Sequence, residues 1–263
     1  MLSQLFPNVN WETMLEATYQ TIYMTAISTV ITFVLGLALG ILLFLTSPNQ
    51  MWANKIVHFL TGSFVNIFRS IPFIVLIILL IPFTKFLVGT MRGTNAALPA
   101  LIIGAAPFYA RMVLIALREI DKGVIEAARS MGAKTATIIF KVLIPESLPA
   151  LISGITVTAV ALVGYTAMAG IIGAGGLGNL AFIEGFQRSR GDVTLMATII
   201  ILIIVFVIQW IGDAMTARTT SDKALSATAV CINRKRKGVY THEKVFITIS
   251  NPVISTCVRR LWS

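Results

Sequence analysis

Residues 198–208 read Thr198-Ile-Ile-Ile-Leu-Ile-Ile-Val-Phe-Val-Ile208, a run with no charge and one hydroxyl. The run lies inside Val193–Ile211, close to the roughly 20 apolar residues a helix needs to cross about 30 Å of hydrocarbon. Working outward, four more such stretches appear. Ile22–Leu45 is almost wholly apolar within an uncharged region from Ala17 to Asn54. Asn66–Val88 has only Arg69 and Lys85 as charges, Ala96–Leu117 is interrupted by Arg111, and Leu148–Ile172 has none. Composition agrees. The chain is 56% hydrophobic and 12% charged, with a mean hydropathy of +0.85, whereas soluble domains carry about 25% charged residues. A β-barrel would need short alternating strands, and these runs are continuous. The expectation is an all-α integral membrane protein with about five transmembrane helices.

The first span is expected to be retained rather than cleaved. Residues 1–20 contain Glu12 and Glu16 but no Lys or Arg, and the apolar run exceeds a signal-peptide core. Basic residues then set the orientation. With the N-terminus outside, the external segments hold only Lys85, Arg92, Arg188 and Arg190 of the 21 Lys and Arg. The rest fall on cytoplasmic segments or in the tail. The expected location is therefore the cell (inner) membrane, multi-pass, with the C-terminus in the cytoplasm. Residues 1–20 form an external N-terminal segment, 21–217 the transmembrane domain and 218–263 a basic cytoplasmic tail.

The net charge of +10 is spread over loops and tail rather than gathered in one patch, so no nucleic-acid partner is implied. Cys231, Cys257 and His242 are the sparse candidates for metal or disulfide chemistry, and no metal is expected. A membrane enzyme would need clustered His, Asp, Glu or Ser, but His58 and His242 are the only histidines. A channel or carrier acting alone usually buries paired ionisable groups in mid-membrane, and the spans show none clearly. No phosphate-binding G-x-x-x-x-G-K-[ST] loop occurs, so any ATP hydrolysis falls to another subunit.

The segment between the third and fourth spans, about 119–149, carries more information. Ile125, Ala128 and Met131, then Ala136, Ile139 and Phe140, recur at helical spacing, with Gly132 between the two sets and Pro145 at the end. Two short amphipathic helices meeting at a glycine are expected, the second ended by Pro145. The pattern Glu126-Ala127-Ala128-x3-Gly132-x9-Val142-x-Ile144-Pro145 resembles the EAA loop of ABC importer permeases, with Val142 and Ile144 in place of the commoner Ile and Leu. The resemblance implies a coupling helix that sits in a groove on a cytoplasmic ATPase. Small Ala127 and Ala128 would allow close contact, and Glu126 would offer a carboxylate to partner donors.

Three further stretches, Phe68-Arg-Ser-Ile-Pro-Phe73, Ile81-Pro-Phe-Thr84 and Val163-Gly-Tyr-Thr-Ala-Met-Ala-Gly-Ile-Ile-Gly-Ala-Gly-Gly-Leu-Gly178, resemble the permease subunit of methionine importers over residues 12–216. That likeness implies a type I ABC importer permease bundle working as a homodimer in the lipid bilayer. It implies two ATP-binding subunits holding ATP and Mg, no cofactor in this chain, and an external binding protein or lipoprotein delivering L- or D-methionine. The alternatives are the same permease type for another small solute, or an ATPase-independent channel or carrier. Tyr165 and Met168 are candidate pathway or gate residues, with ordinary helix packing the competing role. Gly173, Gly175, Gly176 and Gly178 are expected where the fourth span ends outside, as a hinge or docking surface or as a plain turn. Arg69 and Arg111 are expected either in an internal ion pair or ATPase contact, or snorkelling to the interface; Asp213 reads as an interface charge.

Overall fold

A computed structural model describes residues 9–236 except 49 and 51, with the side chains of 221–236 left aside. The described residues form helices joined by short turns: α1 Trp11–Thr46, α2 Lys55–Ser70, α3 Phe73–Val88, α4 Thr94–Arg118, α5 Lys122–Ser130, α6 Thr135–Ile138, α7 Ile144–Ala169, α8 Gly176–Leu180 and α9 Gly191–Arg236. Wide π turns link α6 to α7 (Ile139–Leu143), α7 to α8 (Gly170–Ala174) and follow α8 (Ala181–Gln187). Four helical stretches are long and apolar enough to span, Trp11–Thr46, Thr94–Arg118, Thr135–Ala174 and Gly191–Thr220. The pair α2 and α3 makes a fifth if taken as one bent span.

The helix boundaries follow from local chemistry. Asn10 opens α1 by accepting the Glu12 N–H, and Asn54 opens α2 by accepting from Ile56 and Val57, so orphan first-turn donors are satisfied. Gly89 closes α3 with φ +80°. The helix expected over Asn66–Val88 is not one straight rod. It breaks at Ile71 and Pro72, and the two halves are bent by 111°. Proline disfavours helical geometry in the residue before it, and Ile71 accordingly sits at φ −77°, ψ 125°. Pro145 departs from expectation in the other direction. It lies in the first turn of α7, where a missing N–H is tolerated. The second amphipathic piece therefore does not end at Pro145 but runs through the π turn into the fourth span. Residues 237–263, including His242, Val245–Ile249 and Cys257, lie outside the described residues, as do 1–8.

The buried core is mostly apolar, but the middle of α1 packs inward through small and hydroxyl side chains. α1 buries Thr21, Thr25, Ser28, Thr32, Gly36 and Gly40 and turns Leu15, Tyr19, Val30 and Val34 outward. In lipid, apolar side chains gain little by leaving the tails, so association rests on close packing of small residues. The buried hydroxyls of Thr21 and Thr25 donate to the carbonyls of Ala17 and Thr21, one turn back. At Gly36 an added Cβ would come within 2.7 Å of Tyr109 Cδ1. At Gly40 it would meet Val113 and lie 2.8 Å from the Ala110 carbonyl. α1 and α4 therefore touch nearly backbone to backbone.

Gly40→Ala should destabilise the purified chain by about 1–3 kcal/mol through overpacking. Gly62→Ala, where the nearest atom is Leu43 Cδ2 at 3.9 Å, should be neutral or stabilising by about 0.5–1 kcal/mol through helix propensity. Thermal midpoints in detergent measure both. Equal behaviour of the two variants would refute the close α1–α4 contact.

Candidate functional site

Asp121 opens the segment between α4 and α7 by accepting the Gly123 N–H at 2.7 Å, and α5 then runs to Ser130. Its end is a tight reversal: the Met131, Gly132 and Ala133 N–H groups donate to Ala127, Arg129 and Ala128. Gly132 has φ +75°, and nothing lies within 4 Å of a Cβ placed there. The position is demanding because of its left-handed backbone, not because of crowding. The chain then forms α6, passes through the Ile139–Leu143 π turn and becomes α7.

This segment is seated by its own apolar side chains. Ile125, Ala128, Ile138, Ile139 and Leu143 share one buried cluster with Leu43–Leu45 of α1, Val65 of α2 and Leu114 and Leu117 of α4. Of the motif residues, Glu126, Ala127, Gly132 and Pro145 are exposed, Val142 and Ile144 are half-buried, and Ala128 is buried against the chain's own bundle. Ala128 thus lets α5 approach its own bundle, while Ala127 and Glu126 face outward. Helical periodicity grouped Met131 and Phe140 with the inward residues. Both instead point away, at 81% and 70% exposure. Glu126, Ala127, Met131 and Phe140 are thus exposed on a segment whose other side is buried in the bundle.

Tyr165 and Met168 are one helical turn apart on α7 but have different surroundings. Tyr165 stacks on Phe73, with ring centroids 4.3 Å apart and planes 8° from parallel. That stack ties α7 to the start of α3, just after the Pro72 break. Met168 is exposed, in line with Val157 and Gly164 on an open face of α7 that continues to Ile171 in the π turn. No local pattern signals the Phe73 pairing, because the residues are far apart in the chain.

At the far end of α7 the glycines form a compact reversal. Gly173, Gly175 and Gly176 have φ of +101°, +86° and +79°. Gly178 sits so close to the backbone of Ala167 that a Cβ would overlap it. The turn is also held from outside. The Gly176 N–H donates to Gln20 Oε1 at 2.8 Å, the Leu177 N–H to Thr21 Oγ1 at 2.9 Å, and the Gly93 N–H to the Gly173 carbonyl at 2.9 Å. Two α1 side chains thereby satisfy the first donors of α8, which bulk water would otherwise have to serve. Beyond α8, Glu184 pairs with Arg188 and with Arg190, the latter at 3.1 Å. Gln20, Thr21 and Glu184 were not singled out from sequence, although Gln20 and Thr21 are polar residues at the start of an apolar run.

Arg69 and Asp213 are exposed and Arg111 is half-buried, and no ion pair joins either arginine to another described residue. Among the described residues no group of three or more His, Cys, Asp or Glu lies close enough to hold a metal. What the arrangement offers is an exposed end piece, a helix leading away from it, and a turn held by hydrogen bonds.

Comparison with known proteins agrees with that description. Residues 36–221 match the family described as binding-protein-dependent transport system inner membrane component. The methionine import system permease protein MetP of Bacillus subtilis (strain 168) is 70% identical over 216 residues, covering 82% of this chain and 97% of that protein. A relative in Pasteurella multocida (strain Pm70), called "Probable D-methionine transport system permease protein MetI", is 47% identical over 79% of this chain and 96% of its own length. Among solved structures, a chain of the inward-facing MetNI methionine ABC transporter superposes with a TM-score of 0.78 at 44% identity, covering 80% of this chain and 97% of that one. The membrane-spanning bundle, the anchored end segment and these matches together place the chain in the family of binding-protein-dependent transport system inner membrane components.

Proposed function

We propose that this chain is the permease subunit of an ATP-driven importer for methionine, in both its L and D forms, working as a homodimer. Two cytoplasmic ATPase subunits, carrying ATP and Mg, power it, and an external binding protein or lipoprotein supplies the solute. The N-terminus lies outside and the C-terminus inside, in keeping with the distribution of basic residues. The observation that carries the proposal is 70% identity to a methionine import permease along nearly that protein's whole length.

The geometry supplies a mechanism for this chain's share of the work. Met131 and Phe140 are exposed apolar side chains on the protruding end segment, a surface that a groove on an ATPase would cover. Glu126 and Ala127 flank it, one giving a carboxylate and the other room for close approach. A displacement of this segment moves the buried residues Ile138, Ile139 and Leu143 with it, and these lead directly into α7. α7 carries the motion to Tyr165 and Met168 and on to the glycine turn, which α1 grips through Gln20 and Thr21. The open face bearing Met168 is where a second copy or the solute path meets α7. A pathway needs more walls than five spans provide, and a two-fold pair supplies them.

Labelled L- and D-methionine uptake in cells lacking this chain tests the proposal. Complementation with the wild type should restore uptake of both. Gly132→Arg, at matched membrane level, should lower it at least tenfold, whereas Gly132→Asn should retain most of it because asparagine tolerates the left-handed region. Failure of the wild type to restore methionine uptake would refute the substrate; full activity of Gly132→Arg would refute the coupling role. Met168→Ala should raise ATP hydrolysis in the absence of solute, and unchanged uptake and hydrolysis would remove Met168 from the gate. The purified complex should contain two copies of this chain by native mass spectrometry, and a single copy would defeat the dimer.

A further inference from the structure

The break at Ile71–Pro72 leaves α2 with a geometry that the transport reading does not use. Its two faces differ sharply. Val57, Thr61, Val65 and Phe68 turn toward α1 and α4, with Val65 fully buried. Beside them runs a second apolar face that no described residue covers: Ile56 is 70% exposed, Phe59 70%, Leu60 62% and Ile67 59%. At about 100° per residue, Lys55, Asn66 and Arg69 fall together on the remaining arc, roughly 60° wide, and all three are exposed. The pattern is that of a helix lying in a membrane–water boundary, with apolar residues in acyl chains and basic residues at headgroup level.

Three independent observations agree on what covers the open face. First, α2 follows the spanning helix α1, and the 111° bend sets its axis about 20° from perpendicular to the apolar α3, so when α3 runs across the bilayer α2 lies close to its plane. Second, Trp52, 56% exposed, stands just before its first turn, the placement favoured by interfacial tryptophan. Third, no acidic residue occurs between Glu16 and Glu119, whereas Lys55 and Arg69 mark the two ends of α2. The segment packed beside it, residues 118–146, adds five basic and four acidic residues, so with Lys55 and Arg69 the net charge at this end is positive, which matches a negatively charged lipid surface.

We propose that α2 is an in-plane anchor that binds anionic phospholipid at the leaflet facing the coupling segment. Val65 packs in the same buried cluster as Ile125 and Ala128, so the anchored helix and the coupling segment share one end of the bundle. Lys55 and Arg69 contact lipid phosphate, and Phe59, Leu60 and Ile67 enter the acyl region. This surface is the fixed base against which α5 and α6 move. The inference rests on the membrane-spanning fold and not on the transported solute, so its failure would leave the uptake results intact.

The test uses the full chain, with Cys231→Ser and Cys257→Ser, reconstituted in phosphatidylcholine vesicles with or without phosphatidylglycerol. Nitroxide labels on Leu60→Cys and Ile67→Cys, at least about 100° around the helix from Asn66, should be relaxed by oxygen and shielded from a water-soluble nickel chelate. A label on Asn66→Cys should show the reverse. Nickel access to the first two sites would overturn the anchor, and dipolar broadening between their labels would assign the face to a second copy instead. With spin-labelled lipids, the wild type should enrich phosphatidylglycerol over phosphatidylcholine at its boundary. Lys55→Gln and Arg69→Gln should each reduce that preference about fivefold. A preference unchanged in the double variant would overturn anionic recognition, and the label accessibilities in that variant report whether α2 is still in place.

Discussion

The contact between α1 and α4 at Gly36 and Gly40 is the constraint that the other features share. Water drives little of the association between helices in a bilayer, so their cohesion depends on how closely two backbones can approach. Glycine at these two positions lets the α1 backbone lie against Ala106, Tyr109, Ala110 and Val113 with no α1 side chain between. Along the same face, buried hydroxyls at Thr21 and Thr25 return their protons to α1's own carbonyls, so they are buried without leaving donors unmet. α1 thereby becomes a fixed edge running from the glycine turn at one end to the coupling segment at the other.

Both ends of the stretch from α5 to α8 lean on that edge, in different ways. Near α5 and α6 the contact is apolar: Leu43, Phe44 and Leu45 share a cluster with Ile125, Ile138 and Leu143. Apolar packing is non-directional and tolerates small sliding. At the glycine turn the contact is by hydrogen bonds from Gly176 and Leu177 to Gln20 and Thr21, which are directional and fix position. The Phe73–Tyr165 stack, between those ends, is a packed contact across which α3 and α7 can shift.

How much of this the sequence disclosed depends on the physical scale of each feature. Membrane spans were legible because hydrocarbon imposes a length and a polarity on each run, as in Val193–Ile211. The paired short helices around Gly132 were legible because helical spacing and a glycine at the junction are local signals. The break at Pro72 was carried by the sequence as well, yet hydropathy averaged across it, since the residues on both sides are apolar. Pro145 misled for a related reason: proline stops a helix when it enters from within, but starts one when it sits in the first turn. The exposure of Met131 and Phe140 was hidden because periodicity identifies a face without saying which object covers it. Contacts such as Phe73 with Tyr165 or Gln20 with Gly176 join residues far apart in the chain, and no local pattern records them.

The same reasoning explains why a chain with so few charged residues keeps them where it does. Each Lys or Arg within reach of a span incurs a desolvation cost unless its head reaches the boundary. Lys55, Arg69 and Arg118 all lie at helix ends, where their stems can stay in hydrocarbon while their charges leave it. The ion pairs of Glu184 with Arg188 and Arg190 occur in the turn beyond α8 and not within a long span. Arg111 is half-buried inside α4, short of its end. Along α7 no charged residue follows Glu146, and the buried hydroxyls of Thr158 and Thr166 donate to the Gly154 and Val163 carbonyls of the same helix. A hydroxyl satisfied within its own helix costs far less to bury than a charge, so polarity inside this bundle is carried by threonine rather than by lysine or arginine.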